Sequence, residues 1–166
     1  MFEVRSAIHT DSAAWRRMRE ALWPDEASAH ALEIQRYFAG ELENPLEVLV
    51  AVDGFGELIG FAELSIRRYA EGCETDRVAF LEGWYVDEQH RRHGVGAALI
   101  AAAEAWARKQ GCTEFASDAL LDNQLGAAAH LAVGFEEVER IRCFRKSLNR
   151  QPSSPSRQRH GTSGER

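Results

Sequence analysis

The sequence has no long apolar run and no regular arrangement of cysteines. No stretch approaches the roughly 20 apolar residues that cross a membrane, and residues 1–11 lack the pattern of a signal peptide. The three cysteines, Cys73, Cys112 and Cys143, are far apart and form no CxxC pair. Neither a disulfide framework nor a zinc site is therefore expected. These absences predict a cytoplasmic protein with free thiols and no membrane partner.

Metal ligands are also scarce. His90 and His93 are three residues apart, but they stand among arginines, whose positive charge disfavours a bound cation. We therefore expect no metal site.

Positive charge is concentrated at one end of the chain. The formal net charge is −6, and the segment from Asn149 holds four arginines against one glutamate. Its net charge of +3 leaves −9 for residues 1–148. An acidic body does not suit nucleic acid; it suits a cationic partner or simply serves solubility. The proline-rich segment 149–166 is expected to be a disordered basic tail on a domain spanning residues 1–148.

The hydrophobic pattern predicts one mixed α/β domain. Strands are expected over residues 2–8, 46–53, 58–69, 78–87, 112–118 and about 136–146. Helices are expected from a cap at Thr10 or Asp11 to Leu22, from Ile34 through Leu42 to a stop at Asn44-Pro45, from Val95 to a stop at Gly111, and from Asn123 to about Val133.

The loop before the third helix reads RRHGVG, from Arg91 to Gly96. The first amides of a helix have no internal partner, and the helix dipole adds positive charge at that end. Gly94 and Gly96 allow close backbone approach, and the basic residues attract an anion. The sequence therefore predicts a phosphate cradle, with a solvated turn as the alternative. The segment is not a P-loop, and Leu99 replaces the third glycine of a GxGxxG motif.

Motif and element order together resemble the GNAT superfamily of N-acetyltransferases. Its signature [QR]-x-x-G-x-[GA] is matched by Arg91–Gly96, after the fourth strand and before a long helix. Asn123 and the Gly134-Phe135 turn fit a second signature. The resemblance covers about residues 3–148. It implies a central, mostly antiparallel sheet with a splayed parallel pair, strands four and five, flanked by about four helices.

Shorter stretches resemble one branch of that superfamily, the aminoglycoside 6′-N-acetyltransferases. They are LWP at 22–24, SIR at 65–67, FLEG at 80–83 with Tyr85-Val86, ASD at 116–118, and GFEE at 134–137 with Glu139-Arg140. The resemblance implies transfer of acetyl from the cosubstrate acetyl-CoA to the 6′-amine of aminoglycoside antibiotics, which confers resistance. It also implies a homodimer and no metal.

Two carboxylates are candidates for handling the acceptor amine. Glu82 stands within an apolar strand, where an acid is costly unless it is paired, and strict alternation places it on the face of Phe80 and Trp84. Asp118 ends the fifth strand, and α/β sheets bind ligands at such ends. The resemblance puts both in the aminoglycoside pocket, where one accepts the amine's proton. The alternatives are a structural Glu82 and a capping Asp118.

His130 occupies the position at which many family members have a tyrosine that protonates the CoA thiolate. A histidine can donate a proton near neutral pH, so His130 is a candidate catalytic acid. The alternatives are a histidine that only packs on the sheet, and catalysis by proximity and amine desolvation.

The resemblance also implies the binding residues. On the donor side, the backbone of Trp84, Tyr85 and Val86 would pair with pantetheine, Asn123 would contact the pantetheine arm, and the pyrophosphate would meet Arg91, Arg92, His93, Gly94, Val95, Gly96 and Ala97. On the acceptor side the candidates are Trp23, Tyr69, Glu82, Asp118 and Glu136. The aromatic residues among them are alternatively core, and Glu136 is alternatively an exposed strand residue.

Other functions remain as alternatives. An acetyltransferase for a polyamine or an amino sugar would keep the loop and change only the acceptor. A CoA-binding sensor without turnover would keep the cofactor, but intact Glu82 and Asp118 argue against it. Nucleic-acid binding by the arginine tail is disfavoured, because the tail lacks aromatic side chains.

Overall fold

Five strands form one sheet whose spatial order follows the sequence. In the computed structural model, which describes residues 1–148, the strands are β1 (Phe2–Ser6), β2 (Glu47–Asp53), β3 (Leu58–Arg67), β4 (Val78–Val86) and β5 (Phe115–Ser117). The first four pair antiparallel. β5 runs parallel to β4 and pairs with it over only three residues, Ala79–Leu81. The predicted fold class is confirmed.

Four α-helices cover the two faces of the sheet. They are α1 (Ser12–Leu22), α2 (Ala27–Ala39), α3 (Val95–Lys109) and α4 (Gln124–Ala132). α2 ends before the predicted Asn44-Pro45 stop, because Gly40 takes the left-handed conformation (φ 72°) and caps it. No helix within residues 1–148 has the length and apolar character to cross a bilayer.

Each face of the sheet has its own core. Trp15, Met18 and Ile34 from α1 and α2 pack on Val48, Val50 and Phe61. Val95, Leu99, Ile100 and Ala103 of α3 pack on Leu49, Ala51, Ala62, Leu64 and Leu81. Neighbouring residues of β2 thus alternate between the two cores, as the period of two requires. Each large side chain fully buried in this way contributes about 1.5–3 kcal/mol to folding.

A β-bulge in β4 decides which face Glu82 occupies. Glu63 of β3 pairs with Gly83, but Leu64 pairs with Leu81, so Glu82 is an extra residue without an opposite partner. Glu82 bonds Arg67, whose guanidinium lies over the Phe80 ring. Trp84 packs into the α3 core on the other face. The alternation that placed Trp84 on the face of Glu82 was therefore wrong, because the bulge resets the period.

The predicted strand over residues 136–146 was also wrong. Residues 136–147 adopt no regular secondary structure, and all are exposed. An alternating pattern makes a strand only where a neighbouring strand supplies hydrogen bonds, and no strand lies beside this segment within residues 1–148. Its Val138 side chain instead sits against Gly72. The predicted disorder of residues 149–166 concerns residues outside the described range.

Candidate active site

A cavity of about 550 Å³ opens between α1, α2 and the strands β3 and β4. Its charged lining is four glutamates and three arginines: Glu26, Glu33, Glu63, Glu82, Arg19, Arg36 and Arg67. Trp23, Leu42, Asn44 and Pro45 complete it. The structure therefore brings together Trp23 and Glu82, which are 59 positions apart in the sequence, in one cavity with charges of both signs.

The Trp23 ring is held by contacts with two neighbouring residues. Its ring lies against Gly83, where any Cβ would clash with the indole. The Arg19 guanidinium lies 5.3 Å from the Trp23 ring centroid on another side, a cation–π distance. The ring is therefore held at the cavity wall, with glycine required beneath it.

Glu82 is held by two neighbours on β3. Arg67 donates from Nε to Oε1 at 3.0 Å and from a terminal nitrogen to Oε2 at 2.6 Å, and the Ser65 hydroxyl also donates to Oε1. A carboxylate has about four acceptor positions, so one is left for a further donor. With its side chain 25% exposed, Glu82 is a fixed anion that still reaches the cavity.

Glu63 forms the buried floor of the cavity. It is 2% exposed, accepts a hydrogen bond from Trp15 Nε1 at 2.9 Å, and lies 3.1 Å from Arg19 Nε. Burial raises the pKa of Glu63 to about 7, although the positive charge of Arg19 and the Trp15 bond act in the opposite direction.

Asp118 follows β5 and is exposed. Its carboxylate forms no hydrogen bond or ion pair with residues 1–148, and it does not line the cavity. Tyr69 and Glu136 do not line it either. The Tyr69 side chain is 66% exposed just after β3, and Glu136 is exposed at the start of the irregular C-terminal segment.

The donor side is built mainly from backbone. Pairing of β4 with β5 ends at Leu81, so the edge of Glu82–Val86 on the β5 side is free of a neighbouring strand within residues 1–148. Beyond Val86 the chain turns into α3. Gly94 caps that helix with φ 84° and no capping side chain, and a Cβ built on Gly94 would meet nothing within 4 Å. The start of α3 therefore has open space beside Gly94 and no side chain that caps its first amides, as an anion site requires.

The basic residues of the loop have different surroundings. Arg92 and His93 are exposed, whereas Arg91 donates from Nε to the carbonyl oxygen of Val86 at 3.0 Å. Glycine is also needed at position 96 for packing, because a Cβ there would lie 2.9 Å from the Trp84 ring. The prediction that both glycines serve ligand approach therefore fits the open position of Gly94 better than that of Gly96.

Comparison with known proteins identifies the family. Residues 13–135 match the acetyltransferase (GNAT) family. The chain belongs to this family. It is 56% identical over 146 residues to an aminoglycoside N(6′)-acetyltransferase type 1 of Klebsiella aerogenes, covering 87% of this chain and 96% of that protein. A protein of the same name from Stenotrophomonas maltophilia is 43% identical over 152 residues, with 91% and 95% covered.

Solved structures of similar chains have the same fold. The aminoglycoside 6′-N-acetyltransferase AAC(6′)-Ih from Acinetobacter baumannii gives a TM-score of 0.82 at 36% identity. AAC(6′)-Iy in complex with the bisubstrate analog CoA-S-monomethyl-acetylneamine gives 0.81, also at 36% identity. In both cases 89% of this chain and 99% of the other are covered.

In this GNAT domain both ring nitrogens of His130 are occupied. Nδ1 lies 2.7 Å from the Gly126 carbonyl oxygen, and Nε2 lies 2.9 Å from the Ser117 hydroxyl. The imidazole also meets the Trp84 ring edge to face, with centroids 5.5 Å apart. His130 therefore both packs, as the alternative interpretation held, and joins a polar chain that ends at β5.

Asn123 caps α4 as predicted. Its Oδ1 accepts from Gly126 N at 2.9 Å. The Nδ2 group takes no part in that bond and is the part of the side chain left to meet a ligand. No group of three metal-ligating side chains occurs within the described part of the chain.

Sequence reasoning missed several residues of the cavity, chiefly Glu63, Arg19 and Glu33. Glu63 had the same signal as Glu82, since it is a lone carboxylate within the apolar strand LIGFAELSIR. Arg19 and Glu33 had none, because each sits among ordinary polar helix residues and gains its role only when α1 and α2 meet.

Proposed function

We propose that the protein transfers the acetyl group of acetyl-CoA to the 6′-amine of aminoglycoside antibiotics and so confers resistance to them. The observation that carries the proposal is the junction at Glu82. There the bulge points a carboxylate toward a cavity lined by Trp23 and charged side chains, and the free edge of β4 begins at the same residue. Relatives at 43–56% identity that bear this activity in their names support it.

The acceptor side fits a polycationic sugar. Glu82 anchors one ammonium group with its remaining acceptor position, and Trp23 offers a flat face to a sugar ring. Tyr69 and Glu136, exposed outside the cavity, contact the more distant part of a large acceptor. The net negative charge of residues 1–148 attracts such a substrate.

Asp118 is the proton acceptor in this proposal. An attacking amine must be neutral, and a carboxylate at the site removes the proton directly or through water. Asp118 suits this role because it has no partner within residues 1–148, whereas both oxygens of Glu82 hold Arg67. One carboxylate then orients the amine and the other accepts its proton.

Acetyl-CoA fits the donor side. The backbone of Trp84–Val86 offers hydrogen bonds along its free edge, as strand-like ligands require. The amides of Gly94–Ala97 take the pyrophosphate, while Arg91, Arg92 and His93 supply positive charge around it. Asn123 contacts the pantetheine arm.

The working unit in this proposal is a cytoplasmic homodimer of the domain formed by residues 1–148. Many large apolar side chains are exposed in the last third of the domain: Leu120, Leu121, Leu125, Leu131, Val138, Ile141, Phe144 and Leu148. Exposure on this scale marks an interaction surface. The three cysteines are free thiols, which suits a reducing compartment.

The test is acetyl-CoA-dependent thiol release by the purified full chain. Kanamycin, which has a 6′-amine, is compared with an aminoglycoside that has a 6′-hydroxyl, with spermidine, and with no acceptor. We expect rapid release with kanamycin alone. Release with spermidine but not kanamycin would instead make the protein a polyamine acetyltransferase. CoA binding without release from any acceptor would contradict the proposal and favour a sensor.

A further inference from the structure

Ser117 occupies the point where the parallel strands part. It is the last residue of β5 and pairs with Leu81, the last residue of β4 to have a β5 partner. Its hydroxyl oxygen lies 3.3 Å from the Leu81 carbonyl oxygen and 2.9 Å from His130 Nε2. The hydroxyl therefore stands at the mouth of the gap, beside the start of the free β4 edge.

The bond at the other end of the imidazole fixes which nitrogen can exchange a proton with Ser117. Nδ1 lies 2.7 Å from the Gly126 carbonyl oxygen, and a carbonyl only accepts hydrogen bonds. Nδ1 must therefore carry a hydrogen in both charge states of His130. Nε2 is the nitrogen that gains or loses one, and the Ser117 hydroxyl covers it.

This chain of groups has two states. When the imidazole is neutral, Ser117 donates its hydrogen to Nε2. When the imidazole is charged, Nε2 donates to the serine oxygen, and the hydroxyl hydrogen must point elsewhere. The acceptor then within reach is the Leu81 carbonyl at 3.3 Å, which is long for a bond between a hydroxyl and an oxygen. In its charged state the pair thus presents a weakly held proton at the mouth of the gap.

We propose that Ser117 is a catalytic residue that donates its hydroxyl proton to the thiolate leaving acetyl-CoA, while His130 Nε2–H replaces that proton. This inference rests on the proposed function. The amine nitrogen forms a bond to the acetyl carbon, the carbon–sulfur bond breaks, and sulfur leaves with the electron pair. Sulfur takes the serine hydrogen, serine takes the Nε2 hydrogen, and the imidazole becomes neutral. Asp118 takes the amine's proton, and solvent recharges His130.

The same serine–histidine contact also suits a different chemistry. A hydroxyl hydrogen-bonded to a histidine is the pattern of an activated nucleophile, which would form an acetyl ester on Ser117 before transfer to the amine. Proton transfer from His130 through Ser117 requires no covalent intermediate. Mass spectrometry of protein quenched after mixing with acetyl-CoA therefore separates the two mechanisms.

The experiment measures single-turnover thiol release and both KM values for S117A, S117T, H130F and the S117A/H130F double variant. S117T keeps the hydroxyl, and threonine suits a strand position, so it is the matched control for S117A. Thermal unfolding of every variant reports whether the fold is retained.

We expect S117A and H130F each to lower the turnover rate at least tenfold, toward the usual range for a lost acid catalyst. Both KM values should stay within about twofold, and S117T should recover most of the rate. Because the two residues act in one chain, the double variant should be no slower than the slower single variant.

Three results would overturn the inference: full activity in S117A, penalties that multiply in the double variant, or an acetyl adduct on Ser117. Failure of the proposed function is distinguished from these because it would appear in the wild-type protein, as no amine-dependent thiol release. The proposed proton transfer through Ser117 would then be wrong as well.

Discussion

The donor half and the acceptor half of the site consist of different kinds of groups. The donor half is largely main chain, namely the free edge of Glu82–Val86 and the first amides of α3 beyond Gly94. The acceptor half is made of side chains that α1, α2, β3 and β4 bring together, such as Trp23, Glu63 and Glu82. A main-chain site depends on conformation and space, whereas a side-chain site depends on the identity of every group that lines it.

This difference predicts how the halves fail. Damage on the acceptor side should alter turnover or the KM for the amine, and damage to the main chain of the donor side should alter the KM for acetyl-CoA. The bulge at Glu82 is where the two halves meet, because its side chain faces the cavity and the free backbone edge starts there.

The largest expected effect is from Asp118→Asn, which removes the proposed proton acceptor. We expect kcat with kanamycin to fall about 100-fold, the low end of the contribution of a general base, with the KM for acetyl-CoA unchanged. Steady-state kinetics with both substrates varied measures this. Asp122→Asn, an exposed neighbour, is the control and should behave as wild type. A kcat within about twofold of wild type for Asp118→Asn would remove this carboxylate from the mechanism.

Two glycine substitutions should damage the two halves of the site separately, one affecting the KM for kanamycin and the other the KM for acetyl-CoA. Gly83→Ala forces a methyl group into the Trp23 ring, so the KM for kanamycin should rise about tenfold while that for acetyl-CoA stays. Misplacement of a positioning group by even 1 Å has effects of this size or larger.

Gly94→Ala meets no neighbouring atom but must hold φ at 84°, which costs an L-residue about 1–3 kcal/mol. The amides of the α3 terminus should shift, and the KM for acetyl-CoA should rise about tenfold while that for kanamycin stays. Equal changes of both KM values in either variant would show that the halves are not separable.

The smallest effect on turnover, and the clearest on stability, is expected for Glu63→Gln. The folded protein keeps the Glu63 proton up to about pH 7, whereas the unfolded chain loses it near the ordinary value of 4.5. Because the folded state then binds more protons, wild-type stability falls as pH rises between these values, by at most roughly 3 kcal/mol. Glutamine does not titrate and still accepts the Trp15 bond.

Urea unfolding at pH 5 and at pH 7.5 measures the contribution of Glu63. The stability of Glu63→Gln relative to wild type should be greater at pH 7.5 than at pH 5, because only the wild type loses stability as pH rises. Identical pH dependence in the two proteins would mean that Glu63 ionises in the folded protein as it does in solution.

The local structure of the donor half could be predicted from the sequence, whereas the contacts of the acceptor cavity could not, for a physical reason. A strand, a glycine-containing loop and a helix are contiguous, so Arg91–Gly96 could be interpreted locally. The burial of Val95 and Leu99 followed from periodicity in the same way, whereas the arrangement of the sheet was implied by the resemblance to the GNAT superfamily. The Arg19–Glu33–Glu63 network links residues up to 44 positions apart, and periodicity cannot reveal such contacts.

Two errors mark the limits of local patterns. Strict alternation put Trp84 on the wrong face, because one inserted residue at Glu82 resets the period. Alternation also suggested a strand over residues 136–146, where the described domain offers no partner strand. In both cases the local pattern was real, and the pairing with another segment decided the outcome.

The most direct test of the central claim is the position of the acetyl group on the product. Kanamycin treated with acetyl-CoA and the purified protein is isolated, and two-dimensional NMR assigns the acetylated nitrogen. We expect a single acetyl group, on the 6′-nitrogen. Acetylation of any other amine, or a mixture of positions, would contradict an acceptor cavity that orients one ammonium group at Glu82.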